Sequence, residues 1–148
     1  MALLIEGEER IAAPVATVWA ALNDPAVLKD CIPGCQTLEK TSDTDLAATV
    51  VLKIGPIKAT FAGSVRLTNL DPPHAYTISG EGEGGVAGFA KGGATVALSE
   101  KDGGTLLSYN VEAQIGGKLA QLGQRLINGA AKKLADEFFT NFGKAVQG

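Results

Sequence analysis

Residues 46–67 read LAATVVLKIGPIKATFAGSVRL, two runs of period two joined at Gly55-Pro56. In the first run Leu46, Ala48, Val50, Leu52 and Ile54 share a face. In the second, Ile57, Ala59, Phe61, Gly63, Val65 and Leu67 alternate with Lys58, Thr60, Ala62, Ser64 and Arg66. Strict alternation of apolar and polar residues marks half-buried strands, and adjacent glycine and proline mark the reversal between them. The stretch therefore predicts an antiparallel hairpin with one apolar face.

The same period holds from about residue 35 to about residue 116. Asp71-Pro72-Pro73-His74 turns the chain. Tyr76 and Ile78 then start a strand that becomes glycine-rich. Strands at 89–100 and 105–115 flank Asp102-Gly103-Gly104, the strongest hairpin turn in the chain. Leu107, Tyr109, Val111, Ala113 and Ile115 share a face of the last one.

Upstream, residues 2–11 (ALLIEGEERI) form a first strand with Leu3, Ile5, Gly7, Glu9 and Ile11 on one face. Pro14 opens a helix that carries Val15, Val18, Trp19 and Leu22 at helical spacing through residue 23. Asn23-Asp24-Pro25 breaks it, a short helix follows over 26–30, and Cys31-Ile32-Pro33-Gly34-Cys35 is a turn. Downstream, one long helix is predicted from about Lys118 to Ala145. Its apolar stripe is Leu119, Leu122, Leu126, Ala130, Leu134, Phe138 and Phe142. Gly123 and Gly129 weaken such a helix by about 1 kcal/mol each relative to alanine, which points to close approach of a neighbour.

The order is one strand, two short helices, six strands and one long helix, within a single domain over 1–148. Hairpin-linked strands pair antiparallel, and the first strand can join their edge. The fold class is α+β: a curved seven-stranded antiparallel sheet wrapped around a long C-terminal helix, with two short helices after strand 1. A bent sheet gripping one helix leaves a hollow, and the hollow is where a ligand would sit.

Composition narrows the chemistry. The 148 residues carry 13 basic and 16 acidic side chains, a formal charge of −3, so a nucleic-acid footprint is absent. A single histidine, His74, in a turn after two prolines, and two cysteines argue against a metal-ligand cluster, and a Ser-His-Asp arrangement would have to run through His74 alone. No apolar run approaches the roughly 18 residues that span a bilayer, and the start lacks the features of a secretory signal. The expectation is a soluble cytoplasmic protein with reduced thiols and no metal or cofactor.

Four segments carry a family resemblance: Pro-Val-Ala-Thr-Val-Trp-Ala-Ala-Leu at 14–22, Cys-Ile-Pro-Gly-Cys at 31–35, Gly-Pro-Ile-Lys-Ala-Thr-Phe-Ala-Gly at 55–63, and Gly-Gly-Lys-Leu-Ala-Gln-Leu-Gly-Gln-Arg-Leu-Ile at 116–127. On these the chain resembles the G subunit of carbon monoxide dehydrogenase and its relatives, within the START and birch-pollen-allergen (SRPBCC) superfamily of helix-grip folds. The resemblance implies a non-catalytic accessory protein of a molybdenum hydroxylase. It would recruit that enzyme to the membrane or carry an apolar lipid or quinone. Many relatives continue past the last helix with a tail suited to membrane contact. With the sequence ending at Gly148, contact at the inner membrane face is expected to be peripheral at most.

The candidate ligand site follows from the inward faces. Strands contribute Val50, Leu52, Phe61, Ile78, Gly80, Gly82, Phe89, Tyr109 and Val111. The last helix contributes Leu122, Leu126 and Ala130. Seven of the 19 glycines fall between Gly80 and Gly93. Gly80-Glu81-Gly82-Glu83-Gly84-Gly85 formally matches a dinucleotide fingerprint, but a strand follows it and two glutamates would repel a pyrophosphate. In a strand, Gly80, Gly82 and Gly84 share a face that is bare either for close packing or for ligand space.

Cys31 and Cys35 stand one residue wider than a redox pair, so they read as small residues framing a turn. Glu9 shares the face of Ile5 and Ile11, where burial would raise its pKa, unless the strand faces reverse near the edge and leave it solvated. Tyr109 brings a hydroxyl to an apolar face, whereas Phe61 and Trp19 read as core. Lys118, Arg125, Lys132 and Lys133 form a basic side of the helix; Arg125, Lys132 and Lys133 are the candidates for meeting an acidic partner or anionic head groups. The alternative function is a cyclase, dehydratase or hydrolase acting on a hydrophobic substrate in the same cavity. Only Glu9, Tyr109, Thr49 and Thr95 offer themselves as its acids, bases or hydroxyls.

Overall fold

The computed structural model describes residues 1–147. Its strands are β1 (Ala2–Ile11), β2 (Cys35–Lys40), β3 (Asp45–Ile54), β4 (Ile57–Asp71), β5 (Ala75–Glu83), β6 (Phe89–Lys101) and β7 (Gly104–Gly116). They form one antiparallel sheet in the order β1-β7-β6-β5-β4-β3-β2. The first strand joins the edge of the hairpin-linked strands at β7. Ile54 pairs with Ile57 across the Gly55-Pro56 reversal, and Gly55 takes a φ of 57°, a conformation favourable to glycine.

The two short helices are α1 (Val15–Leu22) and α2 (Pro25–Cys31). Pro14 sits one position before α1, and the Asp24 side chain caps α2 by accepting a hydrogen bond from the Ala26 amide at 3.0 Å. A short 3₁₀ turn, Gly85–Ala87, separates β5 from β6.

The C-terminal helix departs from expectation. It is broken into α3 (Lys118–Gln121) and α4 (Gln124–Gln147) at Gly123, whose φ is 92°. A left-handed residue cannot continue a right-handed helix, so the helix restarts with a different phase. Within α4, Ile127 falls at helical spacing on the face of Leu134 and Phe138 and is buried at 5% exposure, whereas Leu126, placed in the stripe by the sequence, lies about 120° round the helix from Phe138 and is 38% exposed. A Cβ on Gly123 or Gly129 would meet nothing within 4 Å, so neither glycine marks a close approach.

Register sets the faces. Leu3, Ile11, Leu107, Leu98, Val96, Tyr76, Leu67, Phe61 and Leu46 are all buried and occupy the concave side toward α4. The core divides into two clusters. One gathers α1, α2 and the end of α4 around Val18, Leu107 and Phe142, with Trp19 packed edge-on against Tyr76 at 5.3 Å. Thr105 closes this end by donating its hydroxyl hydrogen to the Ala13 carbonyl at 2.7 Å. The other gathers Leu3, Phe61, Ala87, Ile115, Leu119 and Ile127 at the opposite end of the sheet.

Candidate functional site

The apolar faces of sheet and helix do not close completely on one another. A cavity of about 470 Å³ remains, bounded at one end by Phe61, Ile115, Leu119 and Ile127 and at the other by Phe138. Its sheet wall is Leu3, Ala48, Val50, Leu52, Ile54, Gly63, Gly82 and Ala90, and its helix wall is Ala130, Ala131, Leu134 and Ala135. Ile32 and Pro33 complete the rim. Every lining residue is aliphatic, aromatic, proline or glycine. The chamber can therefore exclude water around an apolar body, and it offers no side-chain hydrogen bond to a polar one.

Small residues make the space. Gly63 and Gly82 are partners across β4 and β5, and a Cβ on Gly82 would find its nearest neighbour only at 4.0 Å. On the helix side, three alanines face the same volume.

The wall formed by the 31–35 turn is fastened on both sides. The Val51 amide donates to the Gly34 carbonyl at 2.9 Å, and Asn141 donates from α4 to the Cys31 carbonyl at 3.1 Å. Gly34 has a φ of 78°, and a Cβ there would lie 2.0 Å from the Val51 carbonyl oxygen, so only glycine lets the turn lie flat on β3.

Beside the chamber runs a groove between β3 and α4. Pro33, Leu52, Ile54, Ala130 and Leu134 belong to both, so the groove is the chamber's approach. Its outer edge carries Lys53, Arg125, Lys133 and Glu137. Leu126 lies over Gly55 and joins the start of α4 to the β3–β4 turn.

Of the residues expected in the lining, Val50, Leu52, Phe61, Gly82 and Ala130 stand in the chamber. Leu122 and Leu126 stand in the groove instead: Leu122 precedes the break at Gly123, and spacings of four carry Leu126 about 120° round α4 from Phe138. Gly80 is on the concave face but is covered: a Cβ there would lie 2.6 Å from Val65 Cγ1, so its bareness accommodates packing. Ile78 packs against the cluster around Val18 and Phe142. Ile78 and Val111 also border a separate depression edged by Glu6, Thr77, Ser79, Asn110 and Glu112.

Tyr109 lies across its pairing partner Gly7 and stacks on Phe139 at 5.3 Å, filling its end of the sheet. Phe89 is corrected more sharply. It pairs with Gly116 in the outward register of β6, covers that glycine from outside and is 46% exposed.

The groups considered for catalysis are not brought to the chamber. Thr49 and Thr95 are on the convex face, in register with Ala62 and with Thr77 and Asn110. Glu9 does face inward, half-buried, at the end where Tyr109 sits. Burial, and then the charge of Asp136 on α4, push its carboxyl above the ordinary carboxylate range. Burial first, then Glu9 and Asp136, push the Tyr109 phenol up as well.

Cys31 is buried at 1% exposure, and burial together with Asp30 raises its thiol. Burial raises Cys35 too, with Lys29 opposing. Neither has the lowered pKa of a nucleophile. Arg125, Lys132 and Lys133 are exposed along α4. Among the described residues no group of three or more His, Cys, Asp or Glu could hold a metal ion, and no helix is long and apolar enough to cross a membrane.

Residues 7–147 match the family model of the carbon monoxide dehydrogenase G subunit (CoxG). No curated protein matches the chain. Among solved structures, a conserved protein from Geobacillus kaustophilus superposes with a TM-score of 0.92 at 33% identity, over 98% of this chain and 95% of that one. A protein from Rhizobium leguminosarum gives 0.77 at 16% identity, over 99% of this chain and 95% of that one. One from Chromobacterium violaceum gives 0.71 at 16% identity, over 98% of each. The last two likenesses show the fold alone.

Proposed function

This chain belongs to the CoxG family, the G subunits of carbon monoxide dehydrogenase, and on that footing we propose that it is a non-catalytic accessory protein of a molybdenum hydroxylase of the carbon monoxide dehydrogenase type. In this reading the chamber holds an apolar lipid or quinone-like molecule. The protein then aids membrane recruitment of the enzyme or delivery of its electron acceptor, working in the cytoplasm with peripheral contact at the inner membrane face.

The observation that carries the reading is the chamber, about 470 Å³ with no polar side chain in its lining. Burial there at about 25 cal/mol per Å² of apolar surface supplies most of the affinity. Arg125, Lys132 and Lys133 are exposed on α4 and free to meet an acidic partner. A cyclase, dehydratase or hydrolase would need an acid, base or hydroxyl within reach of its substrate. None of Glu9, Tyr109, Thr49 and Thr95 lines the chamber.

A vesicle-extraction assay tests the proposal. Protein incubated with vesicles containing a long-chain quinone is separated from them and extracted with solvent. Recovery of quinone or lipid in near-equimolar amount supports the carrier role. Protein recovered free of both, at saturating vesicle concentration, overturns it.

A further inference from the structure

The chamber and its approach differ in chemistry, and the difference specifies a ligand class. The chamber is wholly apolar. The groove leading to it carries three cations, Lys53, Arg125 and Lys133, against the single carboxylate of Glu137. None of the three cations is within ion-pair distance of a carboxylate among the described residues, where Arg10–Asp102 and Arg66–Asp45 are the ion pairs formed.

The helix itself leaves room for an occupant. Arg125, Gly129 and Lys133 follow one another at intervals of four on α4, so they form one row, with the outer two about 12 Å apart. Gly129 is bare, and a Cβ there would meet nothing within 4 Å. Two cations thus flank an empty position beside the chamber's approach. Lys53 also borders the groove, but it alternates with Leu52 and Ile54 and projects from the convex face of β3.

Resting on the carrier reading above, we infer that the ligand is an anionic single-chain amphiphile: its acyl chain fills the chamber and its one negative group lies over Gly129 between Arg125 and Lys133. A polar group cannot enter the lining without losing its hydrogen bonds to water. It must remain in the groove, and the groove's charge selects an anion there. The volume, toward the lower end of the roughly 300–1,000 Å³ typical of ligand pockets, suits one chain. The negative group is the carboxylate of a fatty acid or the phosphate of a lysophospholipid, which share this chemistry.

Calorimetric titration with palmitate, lysophosphatidylglycerol, hexadecanol and a neutral long-chain quinone tests the inference. The anionic probes are expected to bind about tenfold more tightly than hexadecanol at low salt, with the advantage shrinking as salt rises. The better of the two anions identifies the head group. Arg125→Gln with Lys133→Gln, two exposed changes on one helix face, should remove that advantage and leave hexadecanol affinity unchanged. Equal affinity for palmitate and hexadecanol, or an advantage that survives the double variant, would overturn the anionic assignment while leaving the carrier reading standing. Failure of all four probes to bind would overturn both.

Discussion

Gly63 and Gly82 stand opposite one another in β4 and β5, and both open into the apolar chamber. Two adjacent strands thus present bare backbone between Ala48 on β3 and Ala90 on β6. Glycine in a strand interior ordinarily weakens it; Gly82 trades that stability for volume, whereas a Cβ on Gly63 would press to 3.2 Å on the Glu81 carbonyl oxygen.

Filling that volume should separate binding from folding. A Cβ at Gly82 would meet nothing closer than 4.0 Å, and Gly82 lines the chamber. Gly82→Leu is expected to lower affinity for an apolar probe at least about tenfold, by occupying its space. The thermal midpoint should hold or rise, since a strand gains from losing glycine. Titration and a melting curve on the same sample check both parts.

The turn that walls the chamber should be far less tolerant. Gly34→Ala would place Cβ 2.0 Å from the Val51 carbonyl oxygen at a φ of 78°. The expected loss is about 2–3 kcal/mol, read as a lower urea midpoint. An unchanged midpoint would show that the turn need not lie on β3.

Glu9 should make stability depend on pH. Burial and Asp136 raise its carboxyl in the folded chain above the ordinary 4.5, so the folded state keeps the proton to higher pH than the unfolded one. Stability then falls as pH rises from that value through the folded one, and the ionised group is unfavourable at neutral pH. Glu9→Gln is therefore expected to stabilise at neutral pH, with the gain fading as pH falls toward the unfolded value. Urea midpoints of both proteins across that range provide the check, and a pH-independent difference would contradict it.

The thiols should be unreactive in the folded protein. Cys31 is 1% exposed, and both thiols are raised by burial. Iodoacetamide followed by peptide mass analysis is expected to leave Cys31 unmodified and to label Cys35 more slowly than a free peptide thiol. Both should label in urea.

The alternation in 46–67 suffices to read the hairpin and its inward face and, by extension to Ile115, strands β3 to β7 apart from Phe89. Period two is a local property, and each residue's face follows from its neighbours. The helix break was not readable that way. Gly123 sits in an apolar pattern of helical period, and nothing local distinguishes a tolerated helical glycine from one at a φ of 92°. Spacings of four drift about 40° per step round a helix, so Ile127 and not Leu126 joins Leu134 and Phe138 on the buried side of α4.

The chamber's extent was equally non-local. Gly80 and Gly82 share a face, but Val65 covers the first and nothing covers the second. Tyr109 shares a face with Val111, but Phe139 arrives from α4 to stack on it. Phe89 begins its strand after Gly88, whose φ of 118° helps set the direction from which the chain enters β6. Which inward residues line a void depends on what the helix brings opposite them, and sequence spacing does not carry that.

Native mass spectrometry of the protein purified without detergent reads directly whether the chamber carries an apolar molecule. The expected spectrum shows a species heavier than the bare chain by one lipid- or quinone-sized molecule, restored by adding the extracted ligand and missing in Gly82→Leu. A spectrum of bare chain alone, unchanged by added lipid or quinone and identical in the variant, would contradict it.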